Sequence, residues 1–191
     1  GAVTSAQART PVHVDSVFPI EEEIRRFREG MTPVTGLQGG AASMEELVDT
    51  FLRRVESADT LGVAALALNR AEFAWLYYPH TQYVSRPYEL SPALVWFQLQ
   101  NRSSRGLSRL LGRYAGQPLL DTGFRCPDPG EPHGEGHIWH GCTVLGFVPV
   151  DAPGWDGPHD TPEGTAVEER LFGSILRVGD RYKLVSFSNE L

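Results

Sequence analysis

Cysteine, methionine and long apolar runs are scarce in this chain, which has two cysteines and two methionines among 191 residues. No hydrophobic stretch approaches the roughly 18–20 residues that a membrane-spanning helix needs, so no span is expected. Basic charge is also short: 17 Lys and Arg stand against 24 Asp and Glu, for a formal net charge of −7. Non-specific affinity for DNA or RNA rests on basic contacts to phosphate, and Lys and Arg form no cluster here, so nucleic acid is not an expected partner. The sequence has no G-x-S-x-G elbow, P-loop, dinucleotide fingerprint or internal repeat. Enzyme classes that announce themselves in short motifs are thereby set aside, and no cofactor is expected. What is present suits one ordinary globular domain, with 41% hydrophobic residues to build a core.

The chain starts at Gly1, which reads as the remnant of a removed tag. The small, polar stretch Ala2 to Thr10 resembles the start of a mature chain from which an export leader has been trimmed. Export to the periplasm or to the cell envelope as a lipoprotein is therefore an expectation. Cys126 and Cys142 support it. They flank a Pro/Gly-rich loop in strand-like sequence, and a disulfide between neighbouring strands persists only where the compartment is oxidising. Two buried free thiols are the other reading of the pair.

Residues 1–42 read as an extended arm with room for a short helix from Ile20 to Glu29, followed by a Gly/Pro connector. Residues 43–191 read as a single domain. Ser43 and Glu46 have capping-box spacing, and Met44, Leu47, Val48, Phe51, Leu52 and Val55 then recur as one helical face. Asp59 caps a second short helix. Asn69 and Glu72 form another capping box, whose helix Pro79 should end. Ser91-Pro92 opens a longer helix, in which Gly106 marks a break and Asn101 to Ser104 weaken the middle. Strands come after it: Leu119 to Cys126, His137 to Val148, Val167 to Val178 and Tyr182 to Ser188. Pro127–Gly136 and Asp151–Gly164 are loops, and the last two strands make a hairpin around Gly179-Asp180. Helices first and antiparallel strands after them give an α+β fold, with helices packed on one face of a curved sheet.

The segment Ser43–Leu68, SMEELVDTFLRRVESADTLGVAALAL, resembles the opening helix pair of the NTF2-like (cystatin-like α+β cone) superfamily. The closing segment Arg170–Asn189, RLFGSILRVGDRYKLVSFSN, is similar to that superfamily's final pair of long strands. The resemblance implies a conical fold with a pocket between the long helices and the concave sheet, and frequent homodimers. It includes isomerases, hydrolases and many non-catalytic binding domains, so it does not choose among functions.

Several residue groups are candidates for chemistry. His133, His137, His140 and Cys142 are good zinc ligands by type. In a regular strand, however, His140 and Cys142 share one face while His137 takes the other, so no metal site is expected. Aromatic residues are concentrated at Phe73, Trp75, Tyr77, Tyr78, Tyr83, Tyr88, Trp96 and Phe97. Core packing is the plainer account of them; a ligand pocket built on Tyr78, Trp96 and Gln100 is the functional one. Among Glu168, Glu169 and Arg170, one charge is placed to point inward, where a carboxylate can serve as a base. Asp151, Asp156, Asp160 and Glu163 are oxygen ligands without EF-hand spacing. The expected function is an exported, non-catalytic domain that binds a small apolar molecule or a protein partner. A pocket enzyme of isomerase or hydrolase type and a structural envelope protein are the alternatives.

Overall fold

The capping signals open the helices where the sequence places them. In the computed structural model, which describes residues 18–118, 120–149 and 164–189, Ser43 Oγ accepts the Glu46 N–H (3.1 Å) and starts helix α2, Met44–Glu56. Glu46 reaches back to the Ala42 N–H (2.6 Å). Asp59 accepts the Gly62 N–H (2.9 Å) ahead of α3, Thr60–Ala64. Asn69 and Glu72 satisfy each other's backbone N–H groups around α4, Arg70–Glu72. Before these lies α1, Ile20–Arg28, and after them α5, Pro92–Tyr114, with Ser91 as its cap. Residues 1–17 of the N-terminal arm and the acidic loop with Asp151, Asp156, Asp160 and Glu163 lie outside the described residues.

Helix α5 runs unbroken for 23 residues, which corrects the expected break at Gly106. The glycine is there for a close approach: a Cβ on it would sit 1.7 Å from the Phe187 carbonyl oxygen. The polar middle of the helix serves the same contact. Ser103 Oγ accepts the Phe187 N–H (3.0 Å), and Asn189 donates to the Gly106 carbonyl (2.9 Å). Residues that weaken a helix by propensity here dock the C-terminal segment onto it.

The strands are β1 (Leu120–Arg125), β2 (Glu131–His133), β3 (Gly136–Trp139), β4 (Thr143–Pro149), β5 (Gly164–Glu169), β6 (Ile175–Val178) and β7 (Arg181–Leu184). They form two antiparallel sheets, ordered β1-β4-β5 and β2-β3-β6-β7. Three expectations are corrected. The stretch His137 to Val148 is two strands, because the chain turns at Gly141, which sits at φ 70°. Val167 to Val178 is likewise split between β5 and β6. The loop Pro127–Gly136 contains β2. The two breaks face each other, since Trp139 pairs with Ile175 before them and Val144 with Glu169 after. One long ribbon therefore bends from one sheet into the other. The hairpin at Gly179-Asp180 pairs Val178 with Arg181, and Gly179 at φ 62° supplies the left-handed residue that primed turns need.

Packing explains the bend. The apolar stripe of α2 meets Leu110 and Tyr114 of α5 and the strand residues Val144, Ile175 and Leu184 in the main core, where the Phe51 ring lies edge-on to Phe172 at 5.2 Å. A second cluster joins Phe27 of α1, Phe73 and Tyr78 to Val95 of α5. A third places Leu37, Leu68, Ile138, Leu176 and Val185 on the far side of the β3/β6 pair. That pair is thus covered on both faces, which accounts for its apolar composition. Cys126 and Cys142 are bonded, with Cα atoms 4.2 Å apart, so the reading as free thiols falls away. Residues 37–41 are docked: Ala41 exchanges backbone hydrogen bonds with Tyr182 (2.9 and 3.0 Å).

One ion pair ties this layout together. Glu72 is fully buried and Lys183 nearly so, with Lys183 Nζ donating to Glu72 Oε2 at 2.8 Å. The remaining capacity is filled locally: Glu72 also accepts the Gln38 N–H (2.6 Å) and the Asn69 N–H (2.8 Å), and Lys183 donates to the Gln38 carbonyl (3.3 Å). Connector, α4 and β7 meet at this point.

Candidate functional site

Pro79 sets up the cleft. It lacks an N–H and its ring crowds the preceding turn, so α4 cannot continue regularly through it. The chain widens into a π turn over Phe73–Tyr77, then tightens into 3₁₀ turns at Tyr78–His80 and Gln82–Val84. In the π register Tyr78 N–H bonds to the Phe73 carbonyl. The next carbonyl, Ala74, would need a donor at Pro79, which has none. Arg28 supplies it, donating to Ala74 O at 2.7 and 3.2 Å. Three residues on, the Tyr77 carbonyl accepts from His133 Nε2 at 2.9 Å. A helix end disrupted by proline is therefore capped by side chains from elsewhere, and one of them is a strand histidine.

That contact closes one wall of a surface cleft of about 410 Å³, lined by Tyr77, His80, Thr81, Gln82 and Tyr83 on one side and by β2, Ile138 and His140 on the other. Among the described residues three imidazoles line it: His80, His133 and His140. His133 is 8% exposed, stacks on Tyr77 with ring centroids 5.1 Å apart, and meets His80 edge-on at 5.6 Å. Because a carbonyl only accepts, His133 carries its proton on Nε2. Burial pushes this imidazole below its usual range, and His80 and His140 push it the same way. His140 sits at the rim, its Nδ1 hydrogen-bonded to Ser174 Oγ at 2.6 Å and its Nε2 3.9 Å from Glu131 Oε2. Gly134 keeps room for His80; a Cβ there would stand 2.6 Å from the ring.

The four zinc-type residues singled out from the sequence divide three ways. His133 and His140 come to the cleft. His137 points to the other face, where it stacks on Trp139 and accepts from Arg177 Nη2 (2.9 Å). Cys142 is held in the disulfide. Among the described residues no three His, Cys, Asp or Glu side chains converge as a metal ion would require.

The aromatic candidates take separate places. Tyr78 is fully buried, donates its hydroxyl to the Leu90 carbonyl (2.6 Å), and has its pKa pushed up to about 12 by burial and by Glu23. Trp96 is half-buried against Phe73, ring centroids 4.9 Å apart. Gln100 is exposed. Of the three, only Tyr78 belongs to the segment that walls the cleft, and its side chain turns into the core behind it.

Of the charged trio, Glu168 is exposed and accepts from Thr143 (2.9 Å), while Glu169 is half-buried. Glu169 accepts from the Tyr114 hydroxyl and pairs with Arg113 at 3.1 Å. Burial, reinforced by Glu169, holds the Tyr114 hydroxyl well above its usual range. Both residues border an apolar cavity between α2, α5 and the β4/β5 strands, with Leu52, Val144 and Leu171. Its volume is about 10 Å³, room for no more than one water. A further surface groove of about 510 Å³ runs beside residues 38–41. Its charged groups are engaged, Glu46 with Ala42 and Arg54 with the Gly62 carbonyl.

Sequence reasoning passed over His80 and Glu131, which complete the cleft. His80 follows Pro79 directly, and a histidine next to a helix-breaking proline was the available signal. No protein family, curated protein or solved structure matches this chain.

Proposed function

We propose that this chain is an exported, non-catalytic binding domain of the NTF2-like kind, and that it takes its ligand in the histidine cleft rather than beneath the helices. The contrast in volume carries the reading. Among the described residues, the cavity beneath the helices at Leu52, Tyr114 and Glu169 holds about 10 Å³, whereas the cleft holds about 410 Å³, a size suited to a small molecule. Its lining is rich in hydrogen-bonding groups, so the ligand is a polar small molecule rather than an apolar one. The NTF2-like reading is supported by the capped helix α2, the Asp-capped α3 and their packing against a bent antiparallel ribbon that ends in a hairpin. Export is supported by the disulfide, which an oxidising compartment preserves. Among the described residues no helix is long and apolar enough to cross a membrane.

A screen of small polar molecules by amide NMR tests the site. Hits are expected to shift the amides of residues 77–83 and 131–140, and Tyr83→Ala is expected to weaken them about tenfold, equivalent to ~1.4 kcal/mol. Hits that map instead to Leu52 and Leu171 would move the site under the helices.

A hydrolase is the second reading, favoured by the Ser174–His140 hydrogen bond with Glu131 at the opposite ring nitrogen. Against it, the His140 and Glu131 side chains are 51% and 74% exposed. Charge developing there is stabilised weakly, because water competes. Hydrolysis of an activated phenyl ester that disappears in Ser174→Ala would favour the hydrolase; equal rates in both proteins would leave binding alone.

A further inference from the structure

We infer that the cleft recognises the oxyanion of a small carboxylate- or phosphate-bearing molecule, and that it holds this ligand more tightly as the solution turns acid. The inference rests on the cleft being the binding site and adds the chemistry of its occupant and the control of its affinity.

The geometry carries it. His80 comes from the turn after Pro79, His133 from β2 and His140 from the end of β3, so three separate segments bring imidazoles to one concave surface. The uncharged polar groups facing them include Tyr77, Thr81, Gln82, Tyr83 and Ser174. Among the described residues Glu131 is the one carboxylate in the lining, and it stands 3.9 Å from His140. Imidazole is the side chain type that gains positive charge as a solution passes from neutral to mildly acid, so histidines gathered on one surface make a pH-responsive set of anion contacts. Desolvation opposes a positive charge on buried His133, so the exposed rings of His80 and His140 are the ones placed to carry charge against the carboxylate of Glu131. Imidazolium groups crowded this way oppose one another. An anion seated among them relieves that repulsion and favours their protonation, so binding takes up protons.

His133 gives an independent check on sign. It is buried, and burial holds its folded value below its unfolded one. The unfolded chain therefore takes up this proton first, and the fold loses stability as pH drops below about 6.5. An anion in the cleft offsets part of that loss.

Benzoate tests the idea, since it stays anionic from pH 5.5 to 7.5, and benzamide is its neutral counterpart. Benzoate is expected to bind about tenfold or more tightly at pH 5.5 than at 7.5, and to raise the melting temperature more at the lower pH. Benzamide is expected to show no such pH dependence. Imidazole NMR titrations are expected to show His80 and His140 protonating at higher pH when benzoate is present. His80→Gln, at an exposed position, is expected to flatten the pH response, and Glu131→Gln to strengthen binding at pH 7.5. Benzamide binding as tightly as benzoate, or benzoate binding equally at both pH values, would overturn the anion inference while leaving the cleft a binding site. No cleft shift with benzoate at pH 5.5 also overturns it. Whether the cleft binds at all is then read separately from the neutral members of the screen.

Discussion

Replacing Lys183 with Met is expected to lower the unfolding free energy by about 3–5 kcal/mol, the usual result of stranding one member of a buried ion pair. The side chain of Lys183 is 4% exposed and that of Glu72 is fully buried. Removing the ammonium leaves a carboxylate in the interior with two backbone N–H donors, from Gln38 and Asn69, and no countercharge. Those N–H groups explain why the double variant Glu72→Leu/Lys183→Met is not expected to be neutral, although it should recover part of the loss. Removing both charges spares the stranded ion but orphans the Gln38 and Asn69 N–H donors, the second of which is the return half of the capping box. Urea unfolding of the single and double variants measures both. A single-variant loss below about 1 kcal/mol would mean that the pair is solvated in the folded protein.

Cys126→Ala/Cys142→Ala is expected to cost about 3 kcal/mol, from the closure entropy of a loop whose ends are 16 residues apart. Without reductant, denatured protein should titrate no thiol; two free thiols would contradict the bond. The loss should be local as well as global. Cys142 is fully buried in the main core and lies two residues after His140, across the turn at Gly141. Its bond to Cys126 anchors the exit of that turn, so reduction is expected to broaden the His140 resonances before the rest of the spectrum changes.

The helical half was legible because its signals are local. Ser43 with Glu46, Asp59, Asn69 with Glu72 and Ser91-Pro92 each satisfy backbone groups within a few residues, and period alone marked the buried face of α2. The strand half was legible in outline only. Nothing in HIWHGCTVLGF says that the chain turns at Gly141, because the bend comes from a core shared with α2 and α5. Gly106 shows the same limit from the other side: its low helix propensity was readable, but its reason is a carbonyl far along the chain, at Phe187. Glu72 was readable as a capping residue and not as the partner of Lys183, which lies 111 residues further on. The cleft was the least legible feature. His80, Glu131, His133 and His140 acquire a common purpose only when the proline-broken helix end is set against β2 and β3. The pocket expected from Tyr78, Trp96 and Gln100 came from composition, and composition does not record which way side chains face.

Lys183 is the only lysine in the chain, and it is enclosed. The folded protein therefore displays no side-chain primary amine. Acylating reagents, aldehydes and enzymes that acetylate or conjugate lysine find no side-chain target until the region around Gln38, Glu72 and β7 opens. The other permanently charged cationic side chains are guanidinium groups, which neither acylate readily nor lose their proton at biological pH. Covalent labelling at that one side-chain nitrogen is accordingly a stopwatch for opening of the fold, silent in the native state and running only when the knot between connector, helix and hairpin comes apart.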